Sequence, residues 1–156
     1  MQTMLDVDIP QVAAIEALQH SVPWSAVSFS DALRNGWHCR VLKDTQDQVL
    51  GYCITMTTGD DEELLTITVK PESMGQGLGK QLMQEVLAGA RQRCACNVFL
   101  EVRESNMPAI HLYEQMGFKI VGMRKNYYPV PANPETNSSS GRENALLMCL
   151  ALAESL

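Results

Sequence analysis

A chain of 156 residues with 46% hydrophobic and 19% charged side chains is long enough for one domain that buries roughly 70% of its unfolded surface, and this composition excludes disorder of the whole. Its net charge of -6 disfavours nonspecific binding to nucleic acid or membranes and would suit a basic protein partner.

The segment from Met1 to Pro10 carries Asp6 and Asp8 and lacks the apolar stretch of a secretory signal. The longest apolar run, Ala145 to Ala153, is too short to span a bilayer, so a cytoplasmic location is expected. Five cysteines, Cys39, Cys53, Cys94, Cys96 and Cys149, form an odd set placed mostly in apolar runs, which reads as reduced, buried structural thiols. Cys39, Cys53, Cys94 and Cys149 read as core thiols rather than acyl carriers. With His20, His38 and His111 scattered, Cys94-x-Cys96 has no second ligand pair, and no metal is expected.

Asp8 followed by Pro10 reads as a helix cap with proline in the first turn, and Val12, Ala13, Ile15, Ala17 and Leu18 carry the helix to about His20. Trp24 lies in the loop Ser21 to Ser25, as a hydrophobic plug or as the wall of a substrate groove. A second short helix is expected from a serine cap at Ser28 to Asn35, with Phe29, Ala32 and Leu33 on one side. Cys39 to Leu42 and Val49 to Met56 read as a hairpin closed by the polar turn Asp44 to Gln48. Gly59 to Glu63 reads as a charged turn feeding a β-branched strand, Leu64 to Val69.

That strand stops at Pro71, glycines follow at Gly75, Gly77 and Gly79, and apolar residues then recur at helical spacing at Leu78, Leu82, Val86, Leu87 and Ala90. A glycine turn between strand and helix brings backbone close to a ligand, and the first helical amides lack intrahelical acceptors beside the positive end of the dipole. Such a turn suits an anion. Gly75 and Gly79 enclose three residues where a Walker loop needs four before Gly-Lys, and Gln81 replaces its Ser or Thr, so ATP is disfavoured. The third glycine also comes one residue early for a dinucleotide turn, although Glu101 follows at a suitable distance. A packing turn without ligand is the plain alternative.

The helix, Gly77 to Arg93, crosses over to a strand, Asn97 to Val102, and the two flanking strands should be parallel. Parallel strands open a crevice at their carboxyl ends, which the glycine turn and Glu101 would both face. Ser105 or Asn106 caps the next helix, Pro108 sits in its first turn and Gly117 closes it. Ala109, Leu112 and Met116 form its apolar stripe, and Tyr113 on the neighbouring face can project its hydroxyl into the crevice. A strand from Phe118 to Met123, a mobile loop from Val130 to Gly141 and a strand from Ala145 to Leu152 complete the chain.

Gln76-Gly77-Leu78-Gly79-Lys80 after a Val-x-Pro strand end resembles the pyrophosphate loop of the GNAT N-acetyltransferases, which grips coenzyme A through backbone amides. Leu100-Glu101-Val102-Arg103-x-Ser105-Asn106, Leu112-Tyr113-Glu114-x-x-Gly117-Phe118, Arg124-Lys125-Asn126-Tyr127-Tyr128-Pro129 and Gly141-Arg142-Glu143-Asn144 resemble its RimI branch. Those enzymes acetylate the N-terminal alanine of protein eighteen of the small ribosomal subunit from acetyl-CoA. The resemblance implies an α/β (α+β layered) fold in one domain over residues 1–156, with a mixed twisted sheet of six to seven strands and about four helices. It implies main-chain contacts from Ile67, Thr68 and Val69 to the acetyl-pantetheine arm, a pyrophosphate held by Gly75, Gln76, Gly77, Leu78, Gly79 and Lys80, and a cofactor bond from Asn106. It further implies direct transfer in a ternary complex. Two places depart from the family loop, Met74 where Gln or Arg is usual and Gly75 where Arg is frequent.

The chemistry can be assigned from residue types. An attacking amine must lose a proton, the carbonyl oxygen must be stabilised and the departing thiolate needs a proton. Glu101, in a partly apolar crevice, is the expected base, directly or through water, and Tyr113, a phenol with a reference pKa near 10, the expected acid. Taken singly, Glu101 also reads as a strand-end ion-pair partner and Tyr113 as a packing residue. An α-amine, with a reference pKa of about 8, suits a carboxylate base better than lysine does. Transfer to lysine or a small amine, and a noncatalytic acyl-CoA-binding module, are the competing functions.

Overall fold

The computed structural model describes residues 1–137 and 141–152. Its centre is a seven-stranded mixed sheet in the order β1-β2-β3-β4-β5-β7-β6. The strands are β1 (Gln2–Thr3), β2 (His38–Lys43), β3 (Val49–Thr58), β4 (Asp61–Val69), β5 (Asn97–Arg103), β6 (Lys119–Val130) and β7 (Gly141–Ala151), and the helices are α1 (Ile9–Gln19), α2 (Ala26–Arg34), α3 (Leu78–Gln92) and α4 (Met107–Gln115). Among the described residues only β4 and β5 pair in parallel, as a strand-helix-strand crossover through α3 requires.

Two apolar layers flank the sheet. On one face α1 and α2 bury Val12, Ile15, Phe29 and Ala32 against Val41, Tyr52 and Ile54. On the other α3 and α4 lay Leu82, Met83, Val86, Ile110 and Tyr113 over Leu64, Leu100 and Met148. The stripe of α3 recurs at three and four residues, so one side of the helix faces the sheet and the other faces solvent.

The parallel ladder is short. It runs from Asp61 opposite Asn97 to Leu64 opposite Leu100 and then ends. Thr55 lies opposite Leu64 and Ile54 opposite Thr66, so Leu65 is an extra residue that bulges β4. A bulge bends its strand and interrupts pairing. Beyond it β4 stays with β3 as far as Val69, while β5 stays with β7 as far as Arg103, and a cleft opens between them.

Several expectations need correction. The acidic run Asp61-Glu62-Glu63 is the start of β4, because Glu62 is fully buried and ligated by Thr55, Thr57 and Arg93. Ser25 caps α2, its Oγ accepting from the Ser28 N–H at 3.1 Å, so the helix begins earlier than Ser28. Asp8 holds the N-cap position of α1 with Pro10 in the first turn, as expected, but its carboxylate makes no cap bond there; it accepts the Leu5 N–H at 2.9 Å and pairs with Lys43 at 2.7 Å. Cys94 and Cys96 are exposed, since α3 ends at Gln92 and both lie in the connection to β5, whereas Cys39 and Cys53 are buried as expected and Cys149 half so. The sixth strand runs past Met123 to Val130, and β7 begins at Gly141. Of the loop expected from Val130 to Gly141, residues 138–140 lie outside the described residues.

Candidate active site

Two adjoining cavities occupy the cleft. One, of about 430 Å³, lies between the end of α1, the diverging part of β4, and β5; Glu16, Trp24, Thr66, Glu101, Arg103 and Tyr128 line it. The other, of about 520 Å³, runs along Thr68 and Val69 to the glycine turn and the start of α3 and α4. Gln19, His20, Ile67, Asn106 and Tyr113 belong to both walls, so a ligand in one is in reach of a ligand in the other.

The long cavity fits an extended anion by its backbone. Lys70 N–H donates to Leu50 C=O at 2.7 Å, which makes residues 50 and 70 a hydrogen-bonded pair of the antiparallel ladder. By alternation Thr68 turns its main chain toward β3, while Ile67 and Val69 turn theirs toward the cleft. Gln19 Nε2 already donates to Val69 C=O at 3.2 Å. At the far end Gly75 and Gly77 have φ of 76° and 77°, a region glycine enters without strain, and the space a Cβ would take at either is open. The first intrahelical bond there is Gln81 N–H to Gly77 C=O, which leaves the preceding amides of α3 without intrahelical acceptors. Gly75, Gly77, Leu78, Gly79 and Lys80 line this groove with Ile67, Thr68, Val69 and Asn106; Gln76 is exposed outside it.

Asn106 caps α4, its side-chain oxygen accepting from the Ala109 N–H at 3.4 Å. That bond leaves its amide nitrogen available at the junction of the two cavities. Ser105 instead donates its N–H to Glu143 at 3.3 Å.

Glu101 and Tyr113 stand in the same cleft. The Glu101 side chain is 19% exposed and pairs with Arg124 Nε at 2.8 Å, a cationic neighbour rather than the apolar surroundings expected from sequence. Tyr113 is buried, its ring 5.9 Å from that of Phe118. Burial, with a smaller contribution from Tyr128, pushes its phenol up to about 12, above the reference value used in the sequence argument. It is therefore a hydrogen-bond donor throughout the neutral range.

Sequence reasoning missed part of the cleft. Arg103 donates to Pro129 C=O at 3.0 Å, Glu143 at 2.8 Å and Ser21 Oγ at 3.2 Å, and lies 4.5 Å over the Tyr128 ring. This guanidinium ties β5 to the β6–β7 hairpin and to the loop after α1. Glu16, His20 and Gln19 were read only as parts of a helix; a carboxylate on an otherwise apolar helical face was the available signal. Trp24 packs on Phe29 with ring centroids 5.4 Å apart, as a hydrophobic plug does, and also lines the smaller cavity. Among the described residues no group of three or more His, Cys, Asp and Glu could hold a metal ion.

Residues 9–118 match the acetyltransferase (GNAT) family. The chain is 34% identical over 147 residues to the [ribosomal protein bS18]-alanine N-acetyltransferase of Escherichia coli K12, covering 94% of this chain and 93% of that one. It is 36% identical over 148 residues to the enzyme of the same name from Haemophilus influenzae, with 93% of each covered. The crystal structure of the ribosomal-protein-S18-alanine N-acetyltransferase from Escherichia coli superposes with a TM-score of 0.85 at 31% identity, over 99% of this chain and 96% of that one. A bulged β4 parting from β5 beside a glycine turn, joined to these full-length likenesses, places the chain in the GNAT acetyltransferase family.

Proposed function

We propose that this chain is an N-terminal acetyltransferase that moves acetyl from acetyl-CoA to the N-terminal alanine of the small-subunit ribosomal protein bS18. The observation that carries this reading is the shared wall: the anion groove and the cavity holding Glu101 meet at Tyr113, Asn106 and Ile67. The full-length relatives named for that substrate support the choice of acceptor. A ribosomal acceptor places the reaction in the cytoplasm, and residues 1–156 act as one domain.

Acetyl-CoA supplies an activated thioester carbonyl. Ile67, Thr68 and Val69 hold the pantetheine arm, and its amides pair with the cleft-facing backbone of Ile67 and Val69. Backbone N–H groups from Gly75 to Lys80 hold the pyrophosphate, with Lys80 adding a cation at the edge, and Asn106 donates its amide at the junction. Met74 and Gly75 leave this site fewer side-chain charges than the usual family loop, so backbone carries the larger share. Glu101 accepts the amine proton, directly or through water, and Tyr113 donates to the departing sulfur, with both substrates bound together and no acyl-enzyme.

The test is transfer of labelled acetyl to a panel of N-terminal peptides. A peptide beginning with alanine should be labelled and its N-blocked, lysine-containing version should not. Labelling of the blocked peptide would transfer the assignment to lysine, and absence of any transfer alongside uptake of acetyl-CoA would leave a binding module. Gly77→Ala provides a separate check on the groove. A methyl group at φ 77° costs about 1 kcal/mol, and relief of that strain turns the amides away from the anion. Calorimetry should therefore show weaker acetyl-CoA uptake by the variant.

A further inference from the structure

Glu16 is a buried carboxylate on the wall of the acceptor cavity that the proposed chemistry does not use. Its side chain is 3% exposed; Oε1 accepts the Trp24 N–H at 3.2 Å and Oε2 accepts the Tyr52 hydroxyl. One turn later on α1, His20 Nε2 lies 3.6 Å from Glu16 Oε2 and 3.0 Å from Thr68 Oγ1. A carboxylate facing Nε2 favours the proton on that nitrogen and leaves Nδ1 as the basic atom. The His20 side chain is 40% exposed, so the ring reaches from a buried anion to solvent while lining both cavities.

The stoichiometry of the transfer leaves one proton to be released. An α-ammonium carries three N–H bonds and the amide product keeps one. One proton accompanies the sulfur when the C–S bond breaks and the N–C bond forms, so the remaining proton must reach water.

We infer that His20, oriented by Glu16 and Thr68, is the proton exit of the acceptor cavity, an inference that rests on the acetyltransferase reading above. The imidazole takes the proton that leaves the ammonium, Glu16 balances the imidazolium charge, and the exposed ring passes the proton to solvent; the amine lone pair is thereby freed. Imidazole exchanges protons with water at neutral pH, which a buried carboxylate does not do without it. The other charged or titratable groups facing this cavity are Glu101 and Arg103 on β5, Tyr113 on α4 and Tyr128 on β6, while Tyr52 on β3 meets Glu16 from within the core.

The experiment compares wild type, His20→Ala and Glu16→Gln on an alanine-terminated peptide. For His20→Ala the expected result is a kcat lower by about 100-fold, unchanged KM for acetyl-CoA, and recovery when free imidazole is added to the buffer. The acid limb of the kcat profile should also change shape. In the wild type, imidazole nitrogen NMR signals should report the proton of neutral His20 on Nε2, and Glu16→Gln should weaken that preference. A kcat equal to wild type, or a loss that imidazole does not restore, overturns the inference and leaves the acetyltransferase reading standing. If the wild-type chain transfers nothing, both fall together.

Discussion

Tyr113→Phe and Glu101→Gln each lower turnover on an alanine-terminated peptide by about 100-fold, with acetyl-CoA uptake unchanged. The first substitution removes a single hydroxyl from a buried ring, and contact with Phe118 at 5.9 Å is kept, so folding is preserved. What disappears is the hydroxyl that the proposed mechanism uses to protonate the departing sulfur. Because burial pushes the phenol up to about 12, Tyr113 stays protonated at every pH where the amine is reactive, and its loss should lower kcat by a similar factor across the neutral range. Glu101→Gln keeps the shape but gives Arg124 a neutral partner and the amine a poorer proton acceptor. Steady-state kinetics with parallel calorimetry separates the two roles from cofactor binding. Rates equal to wild type for either variant would remove that residue from the chemistry.

Arg93→Ala destabilises the fold by about 3–5 kcal/mol, because it strands a buried charge. Glu62 is fully buried in β4, and its carboxylate is held by Arg93 through both Nε, at 3.3 Å, and Nη2, by the Thr55 hydroxyl, and by the Thr57 hydroxyl at 3.0 Å. Burial alone would push this carboxyl up. Hydrogen bonds from Arg93, Thr55 and Thr57, with the charge of Arg93, outweigh burial and hold it below the ordinary carboxylate range. The sign follows: a carboxyl with a lower pKa folded than unfolded contributes stability above the unfolded value, and this is lost as pH falls through the folded value. Without Arg93 burial dominates and the same group favours its protonated form. Urea titrations should thus show a large gap between wild type and Arg93→Ala at neutral pH that narrows toward about pH 4. A gap that stays constant would mean that Arg93 acts through packing over Gly89 rather than through Glu62.

Legibility followed the range of the interactions. The glycine turn, the crossover through α3 and the helix from Asn106 to Gly117 were readable because each is signalled within about 15 residues, by turn chemistry and periodicity. The charged run at Glu62 misled for the converse reason. Its partners, Thr55, Thr57 and Arg93, lie on β3 and beyond the end of α3, and only the assembled sheet brings them to one point. The long β6 was cut at Met123 because three residues, 125–127, stand between the Arg124–Ala145 and Tyr128–Glu143 pairs, with Asn126 at φ 52°. Such a bulge leaves a polar break in the pattern while the strand continues.

Residue order alone was sufficient for the family and for a glycine turn between strand and helix at Gly75 to Lys80, and it put Glu101 and Tyr113 forward as candidates, since these rest on local backbone conformation and residue type. The tertiary structure alone decided that β4 bulges at Leu65 and parts from β5, that Arg124 pairs with Glu101, and that Glu16 and His20 reach the cleft. Side chains distant in sequence acquire a common environment only when strands with separate partners diverge, and no periodicity in the chain encodes where that happens.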